Sequence, residues 1–251
     1  MPAGLDGFHD PVVTPQRDRV LDEIADLVCA HGGPRTLVGI DGRSGAGKST
    51  FADELAVRLA ARGLAAVRST TDSFHRSRGE RLSRGATSGD GYYLDSHQLD
   101  VIVDELLEPF AQGAANVRTA AFDEPSDTPV DTVVAVEPVA VLVFDGLFLQ
   151  RIELADHWDI TVFLDADGRR DREWLSFLLD ELPDGDSARA ATLDARLTRA
   201  RWPRYRDGWR TYVDRVNPAS AATLLVDNND FGRPTLLRTR REDGSDDAER
   251  A

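Results

Sequence analysis

The chain has 251 residues, of which 41% are hydrophobic and 29% charged, and its formal net charge is −14. This composition fits one sizeable globular α/β domain or at most two small ones, and the acidity argues against a general nucleic-acid binder. No apolar run approaches the roughly 20 residues of a membrane-spanning helix, and the single cysteine, Cys29, excludes an intrachain disulfide, so we expect a cytoplasmic protein without a membrane partner.

The first predicted element is a helix that follows a short leader. We expect residues 1–13 to be flexible. In the segment 14–33, apolar residues recur at helical spacing. Thr14 can cap the start of this helix, Pro15 suits its first turn, and Gly32 can end it.

Strands and helices then alternate along the chain, which predicts an α/β fold with three layers and a doubly wound, mainly parallel sheet. A small excursion of two strands is predicted on either side of the turn "EPSDTP". The remaining predicted elements are strands at 35–41, 64–70, 139–146, 159–167 and 223–230 (the last strand), helices at 49–63, 96–110 (opened by a capping Ser96 and closed by Pro109) and 169–182, and an Arg-, Gly- and Ser-rich loop at 75–95.

The segment "GRSGAGKS" matches the phosphate-loop pattern G-x-x-x-x-G-K-[ST] at every fixed position. It lies between a predicted buried strand and a predicted helix, which is the context that such a loop requires. Glycines allow the backbone N–H groups to turn onto a phosphate, and the helix N-terminus faces the same anion. The sequence therefore predicts a P-loop NTPase whose nucleotide-binding residues are Gly42, Arg43, Ser44, Gly45, Ala46, Gly47, Lys48, Ser49 and Thr50.

Lys48 is the one lysine among the chain's 30 basic residues; the other 29 are arginines. Lysine is a compact ammonium on a thin stem, whereas arginine is a wide planar fork. A loop wrapped around a phosphate has room for the first and not for the second. Lys48 is therefore predicted to reach the β- and γ-phosphates, and the Ser49 hydroxyl can ligate Mg²⁺.

Two aspartates indicate a small-molecule kinase among the P-loop classes. Asp145 ends the most hydrophobic strand and suits the second acidic Mg²⁺ position, but a glycine follows it where motor ATPases usually place a glutamate. A guanine-reading N-K-x-D motif is impossible, because Lys48 is already used. Asp72 follows the second strand directly, where a carboxylate can accept the proton of an attacking hydroxyl; the alternative is a loop-capping aspartate.

With these motifs, the sequence resembles the uridine kinase family and the wider group of nucleoside kinases and phosphoribulokinases. The resemblance covers about residues 35–230. It is carried by "GIDGRSGAGKST", "TDSFHRSRG", "GYYLDSHQLD", "VLVFDGLFL", "VFLDADGRRDREW" and "YVDRVNPASAATLLVDNND". The first two motifs are specific in combination, and the others are weak when taken singly.

The resemblance implies an ATP-dependent kinase of a nucleoside, with ATP and Mg²⁺ as its cofactors. It implies that Asp72 is the base, or at least the orienting group, for the 5′-hydroxyl and that Lys48 and the loop amides bind the triphosphate. Mg²⁺ would be held by Ser49, with Asp72 and Asp145 acting through water. The acceptor site implied by the same motifs consists of Asp72, Phe74, Tyr93, Asp95 and Phe122. The family's uracil-reading hairpin normally carries a Tyr-Asp-Phe run with a histidine shortly after it. Here Phe122 and Asp123 of "AAFDEPSDTP" fit, but no histidine follows within this segment.

An arginine-rich segment, 196–210, carries six arginines in fifteen residues. In a kinase of this group it would belong to the lid or to the helix after it, with Arg169 and Arg172 as further catalytic candidates at the transferring phosphate. The alternative is a solvated helix whose arginines pair with neighbouring aspartates. The implied organisation is a single P-loop kinase domain over 14–240 with a lid at about 183–206, followed by a disordered acidic tail at 241–251.

Three functions remain open from the residues and from the resemblance. The first is a kinase of uridine or cytidine. The second is a kinase of another small alcohol, such as another ribonucleoside, pantothenate or a sugar phosphate. The third is a regulatory nucleotide-binding module without catalysis. We expect a small-molecule, nucleoside-like acceptor and no nucleic-acid partner, and the sequence leaves open a homo-oligomer.

Overall fold

The computed structural model describes residues 14–167 and 203–240 and the backbone of 246–248. The predictions for the leader 1–13, the helix 169–182 with Arg169 and Arg172, and most of the lid lie outside the described residues. In the described part of the chain, no helix combines the length and apolar character needed to cross a bilayer.

The described elements alternate largely as the sequence predicts. The helices are α1 Pro15–His31, α2 Lys48–Ala61, α3 Arg78–Arg81, α4 Gly89–Asp95, α5 Leu99–Ile102, α6 Glu108–Ala111, α7 (helical residues 203–216) and α8 Pro218–Ala221. The strands are β1 Arg35–Gly42, β2 Ala65–Thr70, β3 Asn116–Asp123, β4 Thr128–Ala135, β5 Ala140–Gly146, β6 Ile160–Asp165, β7 Leu224–Asp227, β8 Thr235–Arg240 and β9 Asp246–Ala248.

The main sheet has seven strands in the order β2-β5-β1-β6-β7-β8-β9, and the first five of these run parallel. Asp41 of β1 pairs with Gly146 of β5, and Thr70 of β2 pairs with Asp145. The carboxyl ends of β1, β2 and β5 therefore lie together at one edge of the sheet. The segments that follow them meet there, as is typical of ligand sites in open α/β sheets.

Helices cover both faces of the sheet. Alternate residues of β5 point to opposite sides, because side chains alternate along a strand. Val141 and Val143 pack with α1 and α2 in one core cluster, whereas Leu142 and Phe144 pack with α5 and α6 in the other. The predicted three-layer α/β/α architecture with a doubly wound, mainly parallel sheet is confirmed, and β3 and β4 form the predicted separate hairpin.

The prediction of a loop over 75–95 is wrong in part, because this segment contains the helices α3 and α4. Ser77 caps α3 in a capping box with Glu80, and the Ser88 side chain accepts a hydrogen bond from Gly91 N at the start of α4. Both helices are short and have no helical period of apolar residues. Their capping residues are therefore the only local sequence signal that predicts them.

The helix predicted at 96–110 also differs from the structure. It begins at Leu99, after Gln98, so Ser96 is not its cap. Pro109 does not end it either, since the helical chain continues to Ala111. A π-helical turn at Val103–Leu107 directly precedes the proline, so the regular helical hydrogen-bond pattern is already interrupted where the proline N–H is missing.

The strand β7 is not the last one, contrary to the prediction. The chain turns back, and β8 pairs antiparallel with β7, followed by β9 on its outer side. Three residues, Asp246–Ala248, of the segment predicted as a disordered tail thus belong to a strand. The period-2 pattern of β8 is weak, because its side chains are half-buried or exposed throughout.

Candidate active site

The phosphate loop connects β1 to α2 through three glycines with positive φ. Gly42, Gly45 and Gly47 have φ of 152°, 74° and 79°. These values favour glycine, because a Cβ would crowd the backbone. At Gly42 an added Cβ would also lie 2.7 Å from Leu164 O. The backbone therefore curls as a phosphate cradle requires, and α2 begins at Lys48, directly after the loop.

Lys48 reaches back over this loop. Its Nζ donates to Arg43 O at 2.9 Å, and its charge stabilises the nearby carboxylate of Asp41. The ammonium therefore lies at the mouth of the loop, where the predicted β- and γ-phosphates would bind.

Ser49 and Asp145 are in direct contact, although they are 96 positions apart. Ser49 Oγ donates to Asp145 Oδ2 at 2.8 Å, and Arg68 Nη2 donates to Asp145 Oδ1 at 2.8 Å. Arg68, on β2, also pairs with Asp53 of α2 at 2.8 Å. Both oxygens of a buried carboxylate are thus occupied, so its orientation toward the phosphate loop is fixed.

Asp72 lies at the same edge of the sheet, in a 3₁₀ turn that follows β2. Its backbone N–H donates to Thr70 Oγ1 at 3.4 Å, and its side chain is exposed. The neighbouring Thr71 packs directly against Gly146, where any Cβ would collide with the threonine side chain. The glycine after Asp145 therefore lets the Asp72 turn approach the end of β5.

Asp41 forms a buried polar centre beneath the loop that the sequence analysis missed. Its carboxylate accepts hydrogen bonds from the Tyr212 hydroxyl, from Gln150 Nε2 at 3.2 Å and from Gly42 N at 2.7 Å. Complete burial raises the pKa of Asp41 above its usual value, and these donors together with Lys48 oppose that shift. Burial and the Asp41 carboxylate both raise the pKa of Tyr212, so the phenol stays protonated and keeps donating.

We expect Tyr212→Phe to destabilise the fold by about 1.5–3 kcal/mol at neutral pH, because it removes a donor to a buried carboxylate. The loss of stability should shrink at acid pH. Protonated Asp41 needs this donor less, and the folded-state pKa of Asp41 lies above its unfolded value. The penalty therefore grows as the pH rises through the folded pKa. Urea unfolding of both proteins at about pH 4 and about pH 8 measures the loss of unfolding free energy and its dependence on pH.

The matched control is Tyr205→Phe, at a half-buried tyrosine on the same helix whose ring packs edge-on against Tyr92. This change should leave the free energy of unfolding within about 0.5 kcal/mol. A Tyr212→Phe penalty that is constant over this pH range would contradict the assigned link to Asp41.

The sequence model described as the Phosphoribulokinase / Uridine kinase family matches residues 37–174, which include the phosphate loop, Asp72 and Asp145. The chain belongs to this family. The uridine kinase of Leuconostoc citreum is 29% identical over 132 residues, which cover 52% of this chain and 62% of that protein. The uridine kinase of Staphylococcus haemolyticus is 29% identical over 136 residues, covering 53% and 62%. The matches thus span less than two thirds of these relatives.

A solved structure described as a "Possible Uridine Kinase from Bacillus stearothermophilus" has the same fold as this family member. It aligns with a TM-score of 0.66 and 21% identity, over 84% of this chain and 99% of that one. Likeness at this identity shows the shared architecture, a three-layer P-loop fold.

The residues that the family resemblance implies for the acceptor site have surroundings that differ from one residue to the next in this structure. Asp95 ends α4 and pairs with Arg84 at 2.7 Å. Tyr93 is buried, with the guanidinium of Arg151 over its ring at 4.5 Å. Phe122 is buried in the β3–β4 hairpin. Phe74 is fully buried against Phe144, so its side chain lies in the core rather than on the surface that borders Asp72.

Buried arginines are the second feature that sequence reasoning missed. Arg204, from the arginine-rich segment, donates to Arg81 O at 2.8 Å and lies over the ring of Tyr92, so it joins α7 to the residues around α4. Arg206, two residues later, is exposed and pairs with Asp207 at 2.8 Å. The described end of the segment therefore contains both a structural arginine and a solvated ion pair.

Proposed function

We propose that this chain transfers the γ-phosphoryl group of ATP to the 5′-hydroxyl of a nucleoside, uridine or cytidine. The observation that carries the proposal is the common edge of β1, β2 and β5. It brings the phosphate loop, Asp145 and the Asp72 turn together through paired strand ends. A nucleotide-binding module without catalysis would need the loop, but it would not need an exposed aspartate held beside it.

The phosphate loop would bind the triphosphate. Its inward-turned amides and the N-terminus of α2 favour an anion. The Lys48 ammonium would give up its hydrogen bond to Arg43 O and bind the β- and γ-phosphates instead. No new backbone conformation is needed, because the three glycines already have positive φ.

The donors at this edge suit Mg²⁺, which prefers hydroxyl, carboxylate and water oxygens. Ser49 Oγ and Asp145 Oδ2, already 2.8 Å apart, would hold the ion, with Asp72 as a third oxygen donor through water. When bound, Mg²⁺ neutralises charge on the β- and γ-phosphate oxygens. Arg68 would keep Asp145 oriented, since its guanidinium contacts the other carboxylate oxygen.

Asp72 would orient the acceptor hydroxyl and take its proton. The hydroxyl oxygen then forms the new bond to the γ-phosphorus as the bond from that phosphorus to the β–γ bridging oxygen breaks, leaving ADP. Little covalent assistance is required in such a transfer, so positioning and charge neutralisation account for most of the rate. The exposed position of Asp72 leaves it accessible to a small alcohol.

The choice of a nucleoside rests on the family and on the names of the relatives. The Asp95 carboxylate would leave its ion pair with Arg84 and bind the ribose hydroxyls instead. The hairpin around Phe122 would lie beside the base. The missing histidine after Asp123 makes base recognition the part of the site where this chain departs most from its family.

A panel of acceptors tests the proposal. ADP release is measured with uridine, cytidine, adenosine, guanosine, pantothenate and sugar phosphates, each with MgATP. We expect the highest kcat/KM with uridine or cytidine. A higher value for a different alcohol would replace the acceptor but keep the kinase, whereas ATP binding without ADP release for every acceptor would favour the regulatory module.

A further inference from the structure

Two histidines lie face to face beside Asp72. His75 and His97 form an antiparallel β-bridge, and their ring centroids are 4.7 Å apart with an interplanar angle of 34°. One nitrogen of each ring and one carboxylate oxygen of Asp72 all lie within 4.8 Å of one another. The two segments are fixed to each other, because Gln98 Nε2 donates to His75 O at 2.7 Å and Gln98 N to Phe74 O at 2.8 Å.

His97 has an unsatisfied nitrogen. Its side chain is 3% exposed, and its Nε2 finds no hydrogen-bond partner among the described residues. A buried polar atom without a partner is costly, so such an atom in a folded protein calls for a ligand. Burial is the main cause that lowers the pKa of His97 well below its usual value, and the arginines nearby act in the same direction. A neutral imidazole offers a lone pair to a metal.

The charges around the cluster are compatible with a cation. Three arginines influence His97, and each is paired with a carboxylate, so their positive charge is partly cancelled. Asp72 adds a negative charge at the open side. The ion pairs of the three arginines are Arg76 with Asp100 at 3.6 Å, Arg81 with Glu124 at 2.9 Å and Arg151 with Glu153 at 2.6 Å.

We propose that Asp72, His75 and His97 form a binding site for Zn²⁺. Two imidazole nitrogens and one carboxylate oxygen suit a borderline-soft ion, whereas Mg²⁺ prefers oxygen donors alone. Ligand atoms of a tetrahedral zinc ion are about 3.3 Å apart, so the cluster has to close by at most about 1.5 Å. Asp72 and His75 can supply this movement, because their side chains are exposed and half-buried, while buried His97 is the fixed ligand.

Occupation of this site has a consequence that rests on the proposed function. A zinc-bound Asp72 carboxylate cannot take the proton of the acceptor hydroxyl. Zn²⁺ would therefore inhibit phosphoryl transfer while leaving the phosphate loop free to bind ATP, so inhibition should lower kcat rather than raise the KM for ATP.

Zinc binding itself is tested without turnover. Tag-free protein is titrated with Zn²⁺ against a chromophoric chelator in excess Mg²⁺, and with Co²⁺ as a spectroscopic substitute. We expect one ion per chain and visible d–d bands of a site with nitrogen and oxygen ligands. Replacement of either histidine should weaken binding by at least about 10- to 100-fold, the range already found for outer-sphere changes.

The variants are His75→Gln and His97→Gln, with His157→Gln as the matched control, at a half-buried histidine outside the cluster. His157→Gln should bind Zn²⁺ like the unmodified chain. If His97→Gln fails to fold, as circular dichroism would show, the half-buried His75→Gln still decides. Absence of stoichiometric binding, or equal affinity in His75→Gln and the control, would overturn the proposal.

An activity assay at buffered free Zn²⁺ separates this proposal from the proposed function. Inhibition in the unmodified chain and in His157→Gln, with resistance in His75→Gln, supports both. Zinc binding at the three residues without inhibition keeps the zinc site and contradicts the assigned role of Asp72. Inhibition that is equal in His75→Gln and the control would contradict the zinc site as its cause.

Discussion

Asp72→Asn is expected to lower kcat by about 10²- to 10⁴-fold, the usual contribution of a general base. Asparagine has nearly the same shape and keeps the 3₁₀ turn, whose contacts are made by the backbone of residue 72 and by Thr71. It cannot take a proton from the acceptor. The affinity for ATP should change much less than kcat, since Lys48 and the loop amides would hold the triphosphate and Asp72 would act on Mg²⁺ only through water. Single-turnover ADP release and equilibrium binding of ATP separate the two effects.

An exposed aspartate outside the site provides the control. Asp104→Asn, in the π-helical turn, makes the same chemical change on the surface and should leave kcat unaffected. Equal turnover of Asp72→Asn and Asp104→Asn would show that Asp72 is not the base. Loss of ATP binding in Asp72→Asn would instead indicate a role at the nucleotide, as the shared Mg²⁺ assignment allows.

The parts of this molecule that local sequence determines were predicted correctly. Thr14, Pro15 and Gly32 mark the ends of α1 as expected, because capping depends on neighbours within one turn. The buried strand β5 was recognised because an unbroken apolar run of this length is typical of a strand covered on both faces. The phosphate loop was found for the same reason, since its residues are consecutive.

The rest of the site depends on contacts that no local pattern records. Tyr212 and Asp41 are 171 positions apart, and Arg68 and Asp145 are 77 apart. Each pair exists only because the sheet order brings β2 beside β5 and packs α7 beneath the loop. The one available signal was an aspartate inside the apolar run "LVGID", since a charged residue in a buried strand needs partners.

Lys48→Arg is expected to lower kcat/KM for ATP by about 10²- to 10³-fold, although it keeps the charge. Little space is free around the loop: Lys48 Nζ is hydrogen-bonded to Arg43 O at 2.9 Å, and a Cβ at Gly47 would lie 3.2 Å from the ring of Phe231. A planar guanidinium is wider than an ammonium and delivers its charge along a fork rather than at a point. An arginine at position 48 would therefore push the loop amides away from the phosphates and would not perform the function of the lysine.

The reverse change at a solvated position tests whether this is a property of the loop. Arg206→Lys exchanges the same two side chains at an exposed arginine of α7 that pairs with Asp207, and it should leave kcat/KM unchanged. If Lys48→Arg also keeps full kcat/KM, the loop does not enclose the phosphates as assigned. If Lys48→Arg instead loses kcat while ATP still binds, the ammonium acts on the transition state, because an interaction made equally with bound ATP would change KM alone. A loss of kcat/KM in Lys48→Arg without a loss in Arg206→Lys would explain, by the size of the cation, why a chain with arginine at its 29 other basic positions has lysine here.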